Sequence, residues 1–154
     1  MSDRAAAVGA WESLFRAQVA IMRSLADDFP ALGISFNEYD VMFNLSREPD
    51  RRIRLRDLNE HVLLTQPSVS RLVDRLTARG YLRKLTDPTD GRGAIVELTP
   101  AGYDVFRRVA LAHMDTITAR MGDALDTEEL SQLATFCDRL RTAPSGPRRK
   151  PRRV

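Results

Sequence analysis

Hydroxyl, amide and guanidinium side chains crowd into one short stretch of the sequence, residues 65–75. Groups of these kinds recognise DNA, because hydroxyls and amides bond to base edges or phosphates and an arginine can hold guanine through two bonds. The positions assigned to this candidate contact are Thr65, Gln66, Pro67, Ser68, Ser70 and Arg71. A second candidate, Arg92, lies between two glycines further along the chain.

A helix is predicted to position the first group. Thr65 caps it, Pro67 falls in the first turn, where a missing N–H costs nothing, and Gly80 ends it. At about 100° per residue, its apolar residues share one side and its polar residues face away from them. The apolar side comprises Val69, Leu72, Val73 and Leu76. An ordinary amphipathic surface helix is the alternative interpretation.

The preceding segment favours DNA binding. Residues 55–62 have a short helical pattern, and a tight connection over residues 63–65 leads into the next helix. This is the spacing of a helix-turn-helix motif, in which the second helix enters the major groove.

The following segment predicts a β-hairpin, or wing. Alternating apolar runs at 81–85 and 94–98 enclose residues 87–93, which are rich in turn formers. Arg92 at the tip is either a solvated turn residue or a side chain inserted into a minor groove. Asp90 is placed to hold its guanidinium through a charge-assisted bond.

These segments together resemble the MarR family of transcriptional regulators. The matching motifs are QPSVSRLVDRL at 66–76, RGYL at 79–82, DGR at 90–92 and VELTPAG at 96–102. They cover the wing and both helices of the motif, whereas the flanking helices match by pattern only. The chain departs from the family at Arg56, where a Ser or Thr cap is usual, and at Leu63, where a small turn residue is common.

The resemblance implies a mainly α (α+β) fold, a winged helix-turn-helix with long N- and C-terminal dimerisation helices. It also implies a sequence-specific regulator of transcription, a ligand-responsive repressor that binds a pseudo-palindromic double-stranded DNA operator as a homodimer. The second helix then enters the major groove and Arg92 the minor groove. Arg54, Arg56 and Arg75 are candidate phosphate contacts.

A small-molecule pocket is a further implication of the resemblance. In the family it lies between the dimer helices and the DNA-binding lobe and takes phenolic or other aromatic effectors. The candidate residues are Arg16, Tyr39, Phe43 and His61, of which Tyr39 and Phe43 are alternatively core residues. Effector binding is expected to change the spacing of the two lobes and so to weaken DNA binding.

Composition favours one domain in the cytoplasm. The chain has 154 residues, of which 43% are hydrophobic, and no apolar run approaches the roughly 20 residues that span a bilayer. The N-terminus lacks the pattern of a secretory signal, and a single cysteine excludes an internal disulfide. We expect a single domain over residues 1–143, with the DNA-binding lobe at about 47–99.

Charge is unevenly distributed along the chain. Residues 47–92 carry 11 basic and 7 acidic groups, whereas residues 1–46 and 93–147 are each net −3. The predicted DNA-binding lobe is therefore the basic part of the folded chain. Five further basic residues lie in a tail, residues 144–154, which we expect to be disordered and either to add sequence-independent DNA affinity or only to improve solubility.

The terminal helices, at about 8–29 and 100–142, have wide apolar faces. The first has a heptad-like seam, and the last is predicted to begin with Thr127 as its cap. Ser35 and Glu38 form a predicted capping box between the two regions. Interlocking of these helices around a two-fold axis would bury the apolar faces, and a monomer with a helical cap is the alternative. The seam residues of the first helix are Trp11, Phe15, Gln18, Met22, Leu25 and Phe29.

Other chemistries find little support. No nucleophile–base pair, phosphate loop or metal cluster is recognisable, so no enzyme, metal or cofactor is expected. Cys137 and His113 lie on apolar stripes, where an inert thiol and a core histidine are the usual cases, although redox sensing by Cys137 is the alternative. The rival functions are a non-specific architectural DNA-binding protein and a winged helix that binds only proteins.

Overall fold

The computed structural model describes residues 3–62 and 64–143. The departure at Leu63 and the predicted disordered tail at 144–154 lie outside these described residues. The chain divides into two compact units, Met1–Thr116 and Ile117–Val154. The first unit contains both candidate groups of DNA-contacting side chains, so we describe it in most detail.

The predicted fold class, mainly α with a small sheet, is confirmed. In chain order the elements are α1 (Asp3–Ala26), α2 (Phe29–Leu32), α3 (Phe36–Arg47), a 3-10 turn (Pro49–Arg51), β1 (Arg52–Arg54), α4 (Leu55–His61), α5 (Gln66–Ala78), β2 (Leu82–Thr86), β3 (Ala94–Leu98), α6 (Pro100–Gly122) and α7 (Thr127–Thr142). Helices α4 and α5 are the two helices of the predicted motif, and β2 and β3 form the predicted wing.

Helix α5 is held by its apolar side, as predicted. All four residues of the predicted stripe are buried, and burial of side chains of this size contributes about 1.5–3 kcal/mol each. Gly80, two residues after the helix ends, has φ +77°, the left-handed conformation that glycine adopts without strain. The stripe packs into a core shared with α3, α4 and the sheet, whose fully buried large residues include Phe29, Met42, Leu45, Leu58 and Leu76.

The sheet has three antiparallel strands in the order β1-β3-β2. The sequence did not predict β1, because three residues with a single apolar side chain, Ile53, carry too little pattern. Its last residue, Arg54, pairs with Ile95 of β3, which brings the end of β1 next to the base of the wing.

The predicted run at 81–85 becomes β2 one residue later, and its buried side chain is Leu82. Tyr81 precedes the strand, and its carbonyl accepts a hydrogen bond from the Thr99 amide at 3.0 Å. Gly102 of α6 approaches so closely that a Cβ there would overlap that same carbonyl. The start of α6 is therefore fixed against the backbone of Tyr81.

The terminal helices differ from their predicted bounds. Helix α1 begins at Asp3 and ends at Ala26, whereas Phe29 begins the separate short helix α2 and is buried in the core. The cap of α7 is Asp126 and not Thr127. Its carboxylate accepts a bond from the Glu129 amide at 2.9 Å, and the Glu129 carboxylate accepts one from the Asp126 amide at 3.0 Å.

Asp126 caps α7 in place of Thr127 because it lies one residue earlier and has a glutamate at the three-residue spacing of a capping box. The capping box predicted for α3, Ser35 with Glu38, is present. Within the described part of the chain, no helix combines the length and apolar character that crossing a membrane requires.

Candidate nucleic-acid interface

The outward face of α5 is polar and accessible at its N-terminal half. Thr65, Gln66, Pro67 and Arg71 are exposed, and the two serines, Ser68 and Ser70, are half-buried. Thr65 is the N-cap residue, as predicted, but its hydroxyl bonds to that of Ser68 at 2.9 Å and not to a backbone amide. The backbone amides of Ser68 and Val69 bond instead to the Thr65 carbonyl.

Arg71 lies one turn further along the exposed side of α5. None of the ion pairs among residues 3–62 and 64–143 involves Arg71, so its charge is not neutralised by a neighbouring carboxylate. An exposed guanidinium of this kind is free to bind a base edge or a phosphate.

The C-terminal half of α5 is tied to α3 through a carboxylate. Arg75 Nε lies 3.6 Å from Glu38 Oε1, and Arg79 Nη1 lies 3.7 Å from Glu38 Oε2. Arg79 also donates to the Gly33 carbonyl at 2.8 Å and stacks over the Tyr81 ring. Sequence reasoning missed the role of Arg79, since its partners lie 41 and 46 residues earlier in the chain. The side chain of Arg75 remains mostly exposed.

The tip of the wing presents Arg92 to solvent. The predicted bond between the Asp90 carboxylate and the Arg92 guanidinium is wrong. Asp90 Oδ1 accepts instead from the backbone amide of Arg92 at 3.1 Å, an aspartate turn that satisfies the backbone two residues ahead. No ion pair of the described residues involves Arg92, so its guanidinium extends free of a carboxylate.

The base of the wing is built around a buried carboxylate. Asp87 Oδ1 accepts bonds from the Thr89 amide at 2.9 Å and from the Thr89 hydroxyl at 2.8 Å, and Arg54 Nε lies 2.8 Å from Asp87 Oδ2. The two bonds from Thr89 and the charge of Arg54 hold the pKa of Asp87 below its usual range, against the opposing effect of burial. Arg54, a predicted phosphate contact, is thus already paired inside the protein.

Arg56 is exposed on the first turn of α4, 3.4 Å from its neighbour Asp57. The residue at the N-cap of α4 is Arg54, which makes no side-chain capping bond. The idea that Arg56 replaces a family capping residue is therefore wrong, because the cap position lies two residues earlier. Arg56 remains accessible to a phosphate.

The outer face of the sheet holds a second ionic cluster that the sequence did not reveal. The buried carboxylate of Glu97 lies 2.6 Å from Arg52 Nε and 2.5 Å from Arg83 Nη2. Burial alone would raise the pKa of Glu97, but its bonds to Arg83 and Arg52 lower it overall. The cluster fastens all three strands together, since its members come from β1, β2 and β3.

Two of the four candidate effector residues lie together. The rings of Tyr39 and Phe43 are 6.3 Å apart, and Phe106 stacks on Tyr39 at 5.5 Å. Tyr39 is buried, as its alternative assignment to the core requires, whereas Phe43 remains 39% exposed. Arg16 and His61 are exposed on α1 and α4, and neither contributes to this ring cluster.

His113 lies among aromatic rings, as expected for a core histidine. Its ring centre is 5.0 Å from those of Phe29 and Tyr39, and Phe36 lies at 6.1 Å. Burial lowers the pKa of His113. Cys137, in contrast, is exposed on α7 and not buried as expected. In the described ranges no three metal-ligating side chains come together.

Comparison with known proteins agrees with this geometry. Residues 32–93 match the model of the MarR family. The HTH-type transcriptional regulator PapX of Escherichia coli is 27% identical over 97 residues, a stretch that covers 63% of this chain and 59% of PapX. The match thus spans less than two thirds of that relative's length.

Solved structures match over more of the chain. Sco3205, a MarR family transcriptional regulator from Streptomyces coelicolor solved in complex with DNA, is 27% identical with a TM-score of 0.72 and covers 84% of both chains. The organohalide-sensing regulator RdhR in its 2,4-dichlorophenol-bound form is 20% identical with a TM-score of 0.68, over 86% of this chain and 77% of its own. The chain is therefore similar to MarR family regulators in sequence over residues 32–93 and shares their winged helix fold.

Proposed function

We propose that the protein is a sequence-specific regulator of transcription that binds double-stranded DNA. The observation that carries the proposal is the pairing of two accessible groups on one winged helix: the polar N-terminal half of α5 and the tip arginine of the wing. Both Arg71 and Arg92 have guanidinium groups without a carboxylate partner among the described residues. The DNA-bound state of Sco3205 supports the same use of the fold.

In this proposal α5 enters the major groove. Arg71 reads a base edge, and the hydroxyl and amide groups around it bond to bases or to the DNA backbone. Arg92 enters the flanking minor groove, and Arg56 and Arg75 contact phosphates. The residues assigned to the major groove are Thr65, Gln66, Pro67, Ser68, Ser70 and Arg71.

The proposed active form is a homodimer. Helix α1 exposes large apolar side chains, among them Trp11 at 63% and Phe15 at 51%, and exposed patches of this kind mark protein interfaces. In the second unit, Phe136 and Leu140 of α7 are similarly exposed. Light scattering should therefore give a mass of twice 17.4 kDa, and the mass of a single chain would contradict the proposal.

We also propose that an aromatic effector regulates DNA binding. The exposed edge of Phe43, with Phe106 behind it and the Arg47 guanidinium 5.8 Å from its ring centre, suits a small aromatic anion. RdhR was solved with a chlorinated phenol, so 2,4-dichlorophenol is the first compound to titrate. Release of bound DNA by the compound in the wild type, but not in a Phe43→Ala variant, is the expected result.

Fluorescence anisotropy with DNA duplexes tiled across the region upstream of the chain's own gene tests the DNA proposal. A regulator should bind one duplex about 10³-fold or more tightly than shuffled duplexes at the same salt concentration. Equal affinity for every duplex would instead favour a non-specific architectural protein, and no binding at all would favour a protein-interaction module. A reporter driven by the bound region then tests repression, which predicts higher expression when the protein is deleted.

A further inference from the structure

We propose that Arg54 is a positioning residue that fixes the wing so that Arg92 reaches the minor groove, and that it does not contact a phosphate. This inference rests on the proposed DNA-binding function. It replaces a role that the sequence suggested for Arg54 with one that its contacts support.

The side chain of Arg54 is committed to the wing through two different donors. Its Nε lies 2.8 Å from Asp87 Oδ2, and its Nη2 donates to the Thr89 hydroxyl at 2.9 Å. The hydroxyl of Thr89 in turn donates to Asp87 Oδ1. With Nε and Nη2 both engaged, the guanidinium plane has little freedom to turn toward a phosphate, because its planar fork fixes the directions of all its donors.

The charge of Arg54 is also used inside the protein. The side chain of Asp87 is only 4% exposed, and a buried carboxylate is costly unless it is paired and hydrogen-bonded. The pair as a whole has no net charge. It therefore adds little to the attraction between this face of the protein and the DNA backbone, in contrast to the unpaired arginines.

A series of hydrogen bonds within the loop links Asp87 to Arg92 at the tip of the wing. The Asp87 amide donates to the Gly93 carbonyl at 3.1 Å, which closes the loop, and the Gly93 amide donates to the Asp90 carbonyl at 2.8 Å. The Asp90 carboxylate then accepts from the Arg92 amide. Displacement of Asp87 would therefore move the backbone that bears Arg92.

Contacts with Ile95 and Gly93 hold Arg54 and Asp87 in place. Arg54 is the last residue of β1, and its pairing with Ile95 fixes its position relative to β3. At the other end, a Cβ on Gly93 would stand 3.3 Å from Asp87 Cβ, so the loop closes tightly on the anchor. Asp87 and Arg92 thus belong to one closed turn.

A double-mutant cycle with Arg92 tests the proposal. Arg54→Ala and Arg92→Ala should each weaken binding to the best duplex found by tiling, and the double variant should bind no more weakly than Arg92→Ala alone. The salt dependence of DNA binding by the double variant should equal that of Arg92→Ala. If Arg54 contacts a phosphate, the two losses will instead multiply, and the slope of log K against log salt will fall by a further 0.9 or so.

Arg56→Ala is the matched comparison, because Arg56 lies two residues further on and is exposed. Its loss should multiply with that of Arg92→Ala and lower the salt slope, as a phosphate contact requires. Asp87→Asn tests the other half of the pair and should reproduce the behaviour of Arg54→Ala. If the losses of duplex affinity in Asp87→Asn and Arg92→Ala multiply in the double variant, the proposal is overturned.

Amide hydrogen exchange in the free protein provides a readout that does not depend on DNA. Arg54→Ala should speed exchange at the wing amides, including those of Thr89, Arg92 and Gly93, and leave exchange at the α5 amides unchanged. The control variant Arg56→Ala should keep the wild-type melting temperature. Unaltered wing exchange in Arg54→Ala would overturn the anchor. Absence of duplex binding by the wild type would refute the proposed function, and the exchange result would still decide whether Arg54 holds the wing.

Discussion

At the scale of single residues, the arginines of the winged helix differ by what they bind within the protein. Arg54, Arg52 and Arg83 pair with buried carboxylates, whereas Arg71 and Arg92 extend without such partners in the described part of the chain. The sequence shows a basic segment but not this division. An arginine's partner is set by strand register and loop closure, which bring Arg54 and Asp87 together across 33 positions of sequence.

Arg71→Ala should reduce discrimination between the best-bound duplex and single-mismatch duplexes by about 1–3 kcal/mol, because the proposed bidentate contact to one base is lost. Anisotropy on matched and mismatched duplexes at one salt concentration measures the effect. Loss of the same size on every duplex would mean that Arg71 contacts only phosphate.

The burial of His113 predicts a pH dependence of stability. Because its pKa is lowered in the folded state, the unfolded chain takes up this proton first as the pH falls below 6.5. The folded state should therefore lose stability as the pH falls through this range and should be unaffected by His113 above it.

Urea unfolding of the wild type and of His113→Leu, measured from pH 8 to about pH 5, checks this. The variant should show a flatter dependence than the wild type. Parallel profiles for the wild type and His113→Leu would contradict the prediction.

At the scale of elements, the sequence predicted those parts that repeat a local pattern. Helix α5, its four inward residues and the Ser35–Glu38 capping box follow from spacing and capping chemistry. Strand β1 did not, because its three residues gain their strand structure only by pairing with β3. The end of α1 was also misplaced: Phe29 continues the seven-residue spacing of α1, but it belongs to α2 and the core.

Two capping positions offer a test at this scale. Ser35 accepts a bond from the Glu38 amide at 3.2 Å, whereas Thr65 makes no bond to a backbone amide of its helix. Ser35→Ala should lower the free energy of unfolding by about 1 kcal/mol, and Thr65→Ala should lower it by less. Chemical denaturation of the two variants compares them directly, and equal losses would contradict the assignment of the Ser35→Ala loss to its capping bond.

At the scale of the whole molecule, charge and apolar surface lie in different segments. The segment 47–92 carries net charge +4, while the large exposed side chains of α1 lie outside it. The charge distribution could be read from the sequence, since it needs only counting. The assignment of exposed faces could not, because the same heptad-like spacing in α1 includes both buried Leu25 and exposed Trp11.

Deletion of residues 144–154 should flatten the salt dependence of DNA binding, because five basic residues are lost. A tail of the same length with these five residues replaced by glutamine separates charge from length and should behave like the deletion. An unaltered slope in both variants would leave the tail with no part in binding.

The closed loop between Asp87 and Gly93 also has a consequence for protein engineering. Its ends are held together by the bond from the Asp87 amide to the Gly93 carbonyl and by the side-chain contacts of Asp87 with Thr89 and Arg54. The residues between Asp87 and Gly93 can therefore be replaced by another loop only if Thr89 is retained. A tip of the same length that retains Thr89 should close on this frame, so the residues between can be exchanged without redesign of the fold.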